Sequence, residues 1–232
     1  MAKGFWSIML ALVLVACGSD VPAGEAAGTA SGTNAEDAAT VPVMGPQRNV
    51  LAFGNSLFAG YNVAKDDSYP AKLQAALRAR GVNAQVANAG ISGDTSAAGL
   101  QRLKFTLDAQ GAAPDLFILE LGGNDLLRGI SPEQTRTNLA AILDELKARK
   151  IPVLIMGMRA PPNYGPEYQA QFDALYADLA KEYGAALIPF WLEAIYRDPQ
   201  LFQADRIHPT EEGIEQLVEA TVDEVSAALP KE

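Results

Sequence analysis

The sequence predicts an α/β domain: a five-stranded parallel sheet with helices on both faces. Three observations carry this. From Asn49 to Leu229, short apolar runs alternate with longer amphipathic segments, the rhythm of repeated βαβ units. The run Asp115 to Leu121 is almost continuously apolar, as a strand covered on both faces requires. The helical segments also carry start and stop residues at their ends.

Asn49 to Phe53 reads as the first strand and Tyr69 to Arg80 as a helix stopped by Gly81. Ala84 to Asn88 is the second strand. Thr95 to Ala109 is helical, with Leu100, Leu103 and Leu107 on one face. Asp115 to Leu121 is the third strand. Ser131 opens the next helix, with Pro132 at its first position and Glu133 in its first turn, and this helix runs to Lys150. Ile151 to Met158 is the fourth strand. Glu167 to Tyr183 is a helix ending at Gly184. Ala186 to Pro189 is a fifth, weaker strand, and Pro209 to Leu229 the closing helix. Crossovers in such a sheet are right-handed, and ligands bind beyond the carboxyl ends of the strands.

The first 48 residues are of another kind. Trp6 to Ala16 is an apolar run of signal-sequence length, too short to span a bilayer. It ends in Leu14-Val15-Ala16-Cys17-Gly18, which resembles a bacterial lipobox. That resemblance implies cleavage before Cys17 and acylation of Cys17, the one cysteine in the chain, giving a stable membrane anchor. Residues 1–16 are then a signal peptide, and residues 17–48 the lipidated cysteine with a tether whose composition, rich in Ala, Gly, Thr and Ser, does not support a packed core. Residues 49–232 form one domain. The protein is expected to be monomeric and to face the periplasm of a bacterial envelope. Gly18, rather than Asp, after the cysteine is compatible with an outer-membrane destination.

Composition narrows the function. Without Lys3 the 18 basic residues become 17 against 28 acidic, and the net charge moves from −10 to −11. With no cluster of Lys or Arg, nucleic acid is not an expected partner. A single histidine, and no cysteine beyond Cys17, argue against a zinc site; no metal or cofactor is expected.

That histidine, His208, follows Asp205 in Asp205-Arg206-Ile207-His208-Pro209. Imidazole exchanges protons near neutrality, and an acid three residues upstream is placed to hold it. By itself the pattern also fits a capped turn. Three further motifs follow predicted strands: Gly54-Asn55-Ser56-Leu57, Asn88-Ala89-Gly90-Ile91-Ser92 and Gly122-Gly123-Asn124-Asp125. A serine, an acid and a histidine on one sheet edge suit nucleophilic acyl transfer. Ser56 is the candidate nucleophile, His208 the base and Asp205 its partner. The backbone N–H groups of Ser56 and Gly90 and the amide of Asn124 are candidate oxyanion donors. Each has a plainer reading: Ser56 and Gly90 as turn residues, Asn124 as a helix cap, Asp205 as a turn cap. Asp125 reads as a cap or loop hydrogen-bonder. Phe58, Leu126 and Tyr164 fit an acyl groove or ordinary packing equally well.

These four blocks resemble the SGNH hydrolase family, the GDSL lipases and esterases. The resemblance covers Asn49 to Leu229 and preserves order and spacing. It maps the four named residues onto Ser56, Gly90, Asn124 and His208 and the helping acid onto Asp205. It implies a flavodoxin-like three-layer α/β/α sandwich, the SGNH hydrolase fold. The stretches Ser56 to Tyr61, Gly122 to Gly129 and Arg159 to Gly165 are similar to the bacterial thioesterase I, lysophospholipase and arylesterase branch. One position departs: the family usually carries Asp before the serine, and here it is Asn55, which keeps the shape and loses the charge.

The resulting expectation is a serine esterase acting on carboxylic esters or acyl thioesters (fatty acyl, lysophospholipid or aryl) through an acyl-serine intermediate. Two alternatives stand beside it. One is an O-acetyl glycan esterase of the envelope. The other is a non-catalytic, acyl-binding lipoprotein, for which Asn55 is the only support.

Overall fold

The computed structural model describes residues 43–231. The expected signal peptide, Cys17 and most of the expected tether lie outside the described residues. Within them, β1 (Arg48–Gly54) is followed by the one-turn helix α1 (Ser56–Ala59) and by α2 (Tyr69–Ala79). Next come β2 (Ala84–Gly90), α3 (Ser96–Asp108), β3 (Leu116–Glu120), a second one-turn helix α4 (Gly123–Leu127) and α5 (Pro132–Ala148). The chain closes with β4 (Val153–Met156), α6 (Pro166–Tyr183), β5 (Ala186–Ile188) and α7 (Glu211–Ala228). The strands form one sheet in the order β2-β1-β3-β4-β5, every pair parallel. This is the predicted three-layer sandwich, with the flavodoxin-like strand order.

Strand alternation divides the core in two. Val50, Ala52, Leu116, Ile118, Leu154 and Met156 point to the layer containing α2 and α7. Leu51, Phe53, Phe117, Leu119 and Ile155 point to the layer containing α3, α5 and α6. Because both faces are covered, β3 is buried at every position, which is why it reads as an almost continuous apolar run.

The local signals act as expected. Ser131 accepts a hydrogen bond from Gln134 N at 3.2 Å and caps α5, with Pro132 at its first position. Thr95 and Thr210 cap α3 and α7 in the same way. Gly184 takes the left-handed conformation, φ 66°, that ends α6. The differences lie at element ends. β1 opens one residue early, at Arg48, whose N–H bonds Asn83 O at 2.9 Å. β4 opens at Val153 rather than Ile151, because Pro152 has no N–H to give the ladder and Ile151 N is drawn back to Leu146 O. α7 begins at Glu211, two residues after the predicted Pro209, because Thr210 takes the capping position. Among the described residues no helix is long and apolar enough to cross a membrane.

Strand order reverses at β1: β2 lies on one side and β3 on the other. Gly54, the last residue of β1, is in register with Glu120, the last of β3. A crevice therefore opens beyond this pair, at the switch point where such sheets bind ligands.

Candidate active site

Ser56 is the first residue of α1, immediately beyond β1. Asn55 precedes it as the helix cap, its Oδ1 accepting from Leu57 N at 3.0 Å. The helix closes after one turn because Gly60 is left-handed, φ 80°. This tight turn brings the serine to the crevice.

His208 arrives from the opposite direction, on the loop before α7. Its Nε2 lies 2.8 Å from Ser56 Oγ, a contact spanning 152 positions of sequence. Its Nδ1 lies 2.7 Å from Asp205 Oδ2. With Nδ1–H donated to the carboxylate, Nε2 is the acceptor of the serine proton. The other oxygen of Asp205 accepts the backbone N–H groups of Ile207 at 2.9 Å and His208 at 3.0 Å. Arg206, between Asp205 and Ile207, is left-handed, φ 61°, so the loop curls back on its own acid. Burial pushes the Asp205 carboxyl upward, but the bonds from the His208 ring and from the His208 and Ile207 backbones outweigh it and hold it at about 2.

Two further residues brace the histidine. The Tyr61 ring stacks on the imidazole with centroids 4.2 Å apart. Gln203 Nε2 donates to Tyr61 O and to Pro209 O, both at 2.9 Å, and Gln203 N donates to His208 O at 2.7 Å. Neither role shows in the sequence, because both depend on two distant loops meeting.

The candidate oxyanion donors are held differently from one another. Ser56 N–H has no protein acceptor among the described residues. Asn124 lies in α4 with Gly122 as its cap, so the capping role falls to Gly122 instead. One N–H of the Asn124 side chain goes to Asp94 O at 2.9 Å, leaving its other hydrogen for a ligand. Ser56 and Asn124 line one cleft. Gly90 is at the end of β2, and its N–H goes to Asn88 Oδ1 at 2.9 Å. The glycine also has a packing reason: a Cβ there would sit 2.4 Å from Ala59 N and 2.8 Å from Phe58 C. β2 and α1 therefore touch backbone to backbone.

Asp125 is fully buried and binds the start of α3, accepting from Ser96 N at 2.7 Å and from Ser96 Oγ. Of the two roles the sequence offers, cap or loop hydrogen-bonder, it takes the second: Thr95 caps α3 and Gly122 caps α4. Glu120 is an unforeseen polar group. It is fully buried, and both of its oxygens accept from Asn55: Oε2 from the backbone N–H at 3.1 Å, Oε1 from Nδ2 at 2.9 Å. Burial pushes its carboxyl up to about 8, the two Asn55 bonds acting the other way. A lone Glu inside an apolar strand gives no sign of its partner until the strands are registered.

Beside Ser56 the crevice widens into a cleft of about 280 Å³ with walls that include Leu57, Leu126, Leu127, Phe190, Leu192 and Phe202. Of the three candidate groove residues, Leu126 lines it. Phe58 does not: it is buried against Tyr69 and Trp191. Tyr164 packs on Tyr168 at the edge of the second core.

Comparison with known proteins agrees with this architecture. Residues 52–215 match the model of the GDSL-like lipase/acylhydrolase family. The chain is 42% identical over 164 residues to thioesterase 1/protease 1/lysophospholipase L1 of Escherichia coli strain K12, covering 71% of this chain and 76% of that protein. It is 39% identical over 164 residues to an arylesterase of Vibrio mimicus, covering 71% and 81%. Among solved structures, AlinE4, a SGNH-hydrolase family esterase, is 60% identical, with TM-score 0.69 over 81% of this chain and 100% of that one. TesA is 38% identical, with TM-score 0.73 over 78% and 100%.

Proposed function

The chain belongs to the GDSL-like lipase/acylhydrolase family, and from that premise we propose that it is a serine esterase working through an acyl-Ser56 intermediate. The observation that carries this reading is the relay from Ser56 Oγ to His208 Nε2 at 2.8 Å and from His208 Nδ1 to Asp205 at 2.7 Å, at the edge of an apolar cleft. As the serine oxygen attacks the ester carbon, its proton passes to His208. Asp205, ionised throughout the neutral range, stabilises the imidazolium and fixes its tautomer. Negative charge develops on the carbonyl oxygen, facing the Ser56 N–H and the free N–H of Asn124. Collapse expels the alkoxide or thiolate, which takes the proton from His208. Water then attacks the acyl-enzyme with His208 again as base, releasing the acid and restoring the serine.

The cleft walls favour an acyl chain over acetyl. Each buried CH₂ is worth ~0.8 kcal/mol, so kcat/KM should climb about fourfold per methylene until the cleft is filled. Esters of p-nitrophenol from acetyl to dodecanoyl test this, with Ser56→Ala as control. A maximum at acetyl would remove the acyl-chain reading and favour the O-acetyl alternative.

We further propose that acylated Cys17 anchors the enzyme to a membrane of the bacterial envelope. Cys17→Ser expressed in a bacterial host should move the protein from the membrane fraction to the soluble one. An unchanged distribution would contradict the anchor.

A further inference from the structure

We propose that Glu120 is a positioning residue for the nucleophile, acting through Asn55, and that Asn at position 55 and Glu at position 120 form a matched pair. This rests on the reading of Ser56 as the nucleophile. Asn55 makes polar contacts at the entry to α1 through both its backbone and its side chain. Its backbone N–H and Nδ2 are given to Glu120; its Oδ1 faces forward, accepting Leu57 N at 3.0 Å and lying 3.4 Å from Ser56 Oγ; its backbone O accepts Ala59 N at 3.0 Å. A carboxamide can be turned either way. Here Glu120 decides the direction: both of its oxygens accept N–H groups of Asn55, so the amide nitrogen points at it and the amide oxygen at the nucleophile turn.

The surroundings are built around this carboxyl group. A Cβ on Gly54 would lie 2.7 Å from Glu120 Oε2, so the glycine at the end of β1 makes room for it. No cation pairs with it among the described residues. Arg102 of α3 is committed to Asp94 and to Gly54 O, and Asp125 of α4 to Ser96. Tyr176 of α6 donates to Leu121 O at 3.1 Å. Among the described residues Asn55 is its hydrogen-bonding partner at both oxygens. An aspartate at position 55, usual in the resembled family, would set two carboxyl groups against each other there, forcing them to share a proton. Asparagine meets Glu120 without that requirement.

The test is a reciprocal swap. Glu120→Gln replaces one acceptor by a donor facing the donors of Asn55, so the turn loses its fixed geometry. Combining it with Asn55→Asp restores every bond, because the new glutamine nitrogen donates to the new carboxylate while its oxygen accepts the backbone N–H. With p-nitrophenyl butyrate, Glu120→Gln should lower kcat at least tenfold with KM changed less than twofold, and the double variant should recover most of the loss. Wild-type kcat in a folded Glu120→Gln overturns the proposal, as does a folded double variant no faster than the single. If Glu120→Gln does not fold, the double variant decides: folding with activity supports the pair, and failing to fold or folding inactive overturns it. Ser56→Ala run alongside separates the two readings. If it retains activity, the nucleophile assignment fails; if it is inactive while Glu120→Gln is unaffected, only the pairing fails.

Discussion

Two carboxyl groups at this site are shifted in opposite directions, and the difference lies in their partners. Asp205 receives two backbone N–H groups and an imidazole on a partly exposed loop, and is held at about 2. Glu120 receives two N–H groups from one neutral residue in a fully buried setting, and is raised to about 8. The consequences for stability have opposite sign. A carboxyl lowered in the folded state stabilises above its unfolded value and loses that contribution as pH falls. The Asp205 loop should therefore hold until pH drops below about 4 and loosen toward pH 2. A carboxyl raised in the folded state holds its proton where the unfolded chain has released it, so stability falls as pH rises. Between the unfolded carboxyl range, about pH 4.5, and about pH 8, Glu120 should contribute a steady decline in Tm that flattens above. Thermal melts from pH 5 to 9 on wild type and on the Glu120→Gln/Asn55→Asp pair check this: the two slopes should differ, and parallel slopes would contradict the shift.

Among the elements, the one-turn helices α1 and α4 present the site, and they are the elements least legible beforehand. Each is too short to show helical periodicity, and each is defined by its ends: Asn55 and the left-handed Gly60 for α1, Gly122 for α4. The long helices are legible through Ser131, Gly184 and the leucine spacing of α3, and the strands through apolar runs. Gly90 belongs to this scale as well. The sequence offers it as an oxyanion donor or a turn; its N–H is on Asn88 Oδ1, and its bare Cα lets β2 lie against α1. Gly90→Ala cannot be relieved by a rotamer change, since the clash is with backbone. We expect it to cost about 1–3 kcal/mol and to displace the turn that carries Ser56, lowering kcat as well as Tm. Equilibrium denaturation together with ester hydrolysis measures both, and a variant with wild-type values for each would show that the backbone yields freely.

For the molecule as a whole, parallel topology is what makes the site. β1 and β3 end side by side, so Ser56 and Asn124, 68 positions apart in number, open onto one cleft. The order of the motifs after successive strands was readable because all strands point one way, which puts every strand's carboxyl end on the same edge. Contacts between loops were not readable. Tyr61 on the His208 ring, Gln203 bridging the two, and Glu120 beneath Asn55 each join segments with no local pattern linking them. The single histidine sharpened the reading more than any motif, because the chain has no other imidazole to take its part.

The central claim is that Ser56 is a nucleophile activated by His208. Labelling with a fluorophosphonate, which reacts only with an activated serine, tests it most directly. Wild-type protein should take up one equivalent, lose its esterase activity in proportion, and carry the adduct on the peptide containing Ser56. His208→Ala should label far more slowly, and Ser56→Ala not at all. An adduct on another residue, or undiminished labelling of Ser56→Ala, would contradict the account.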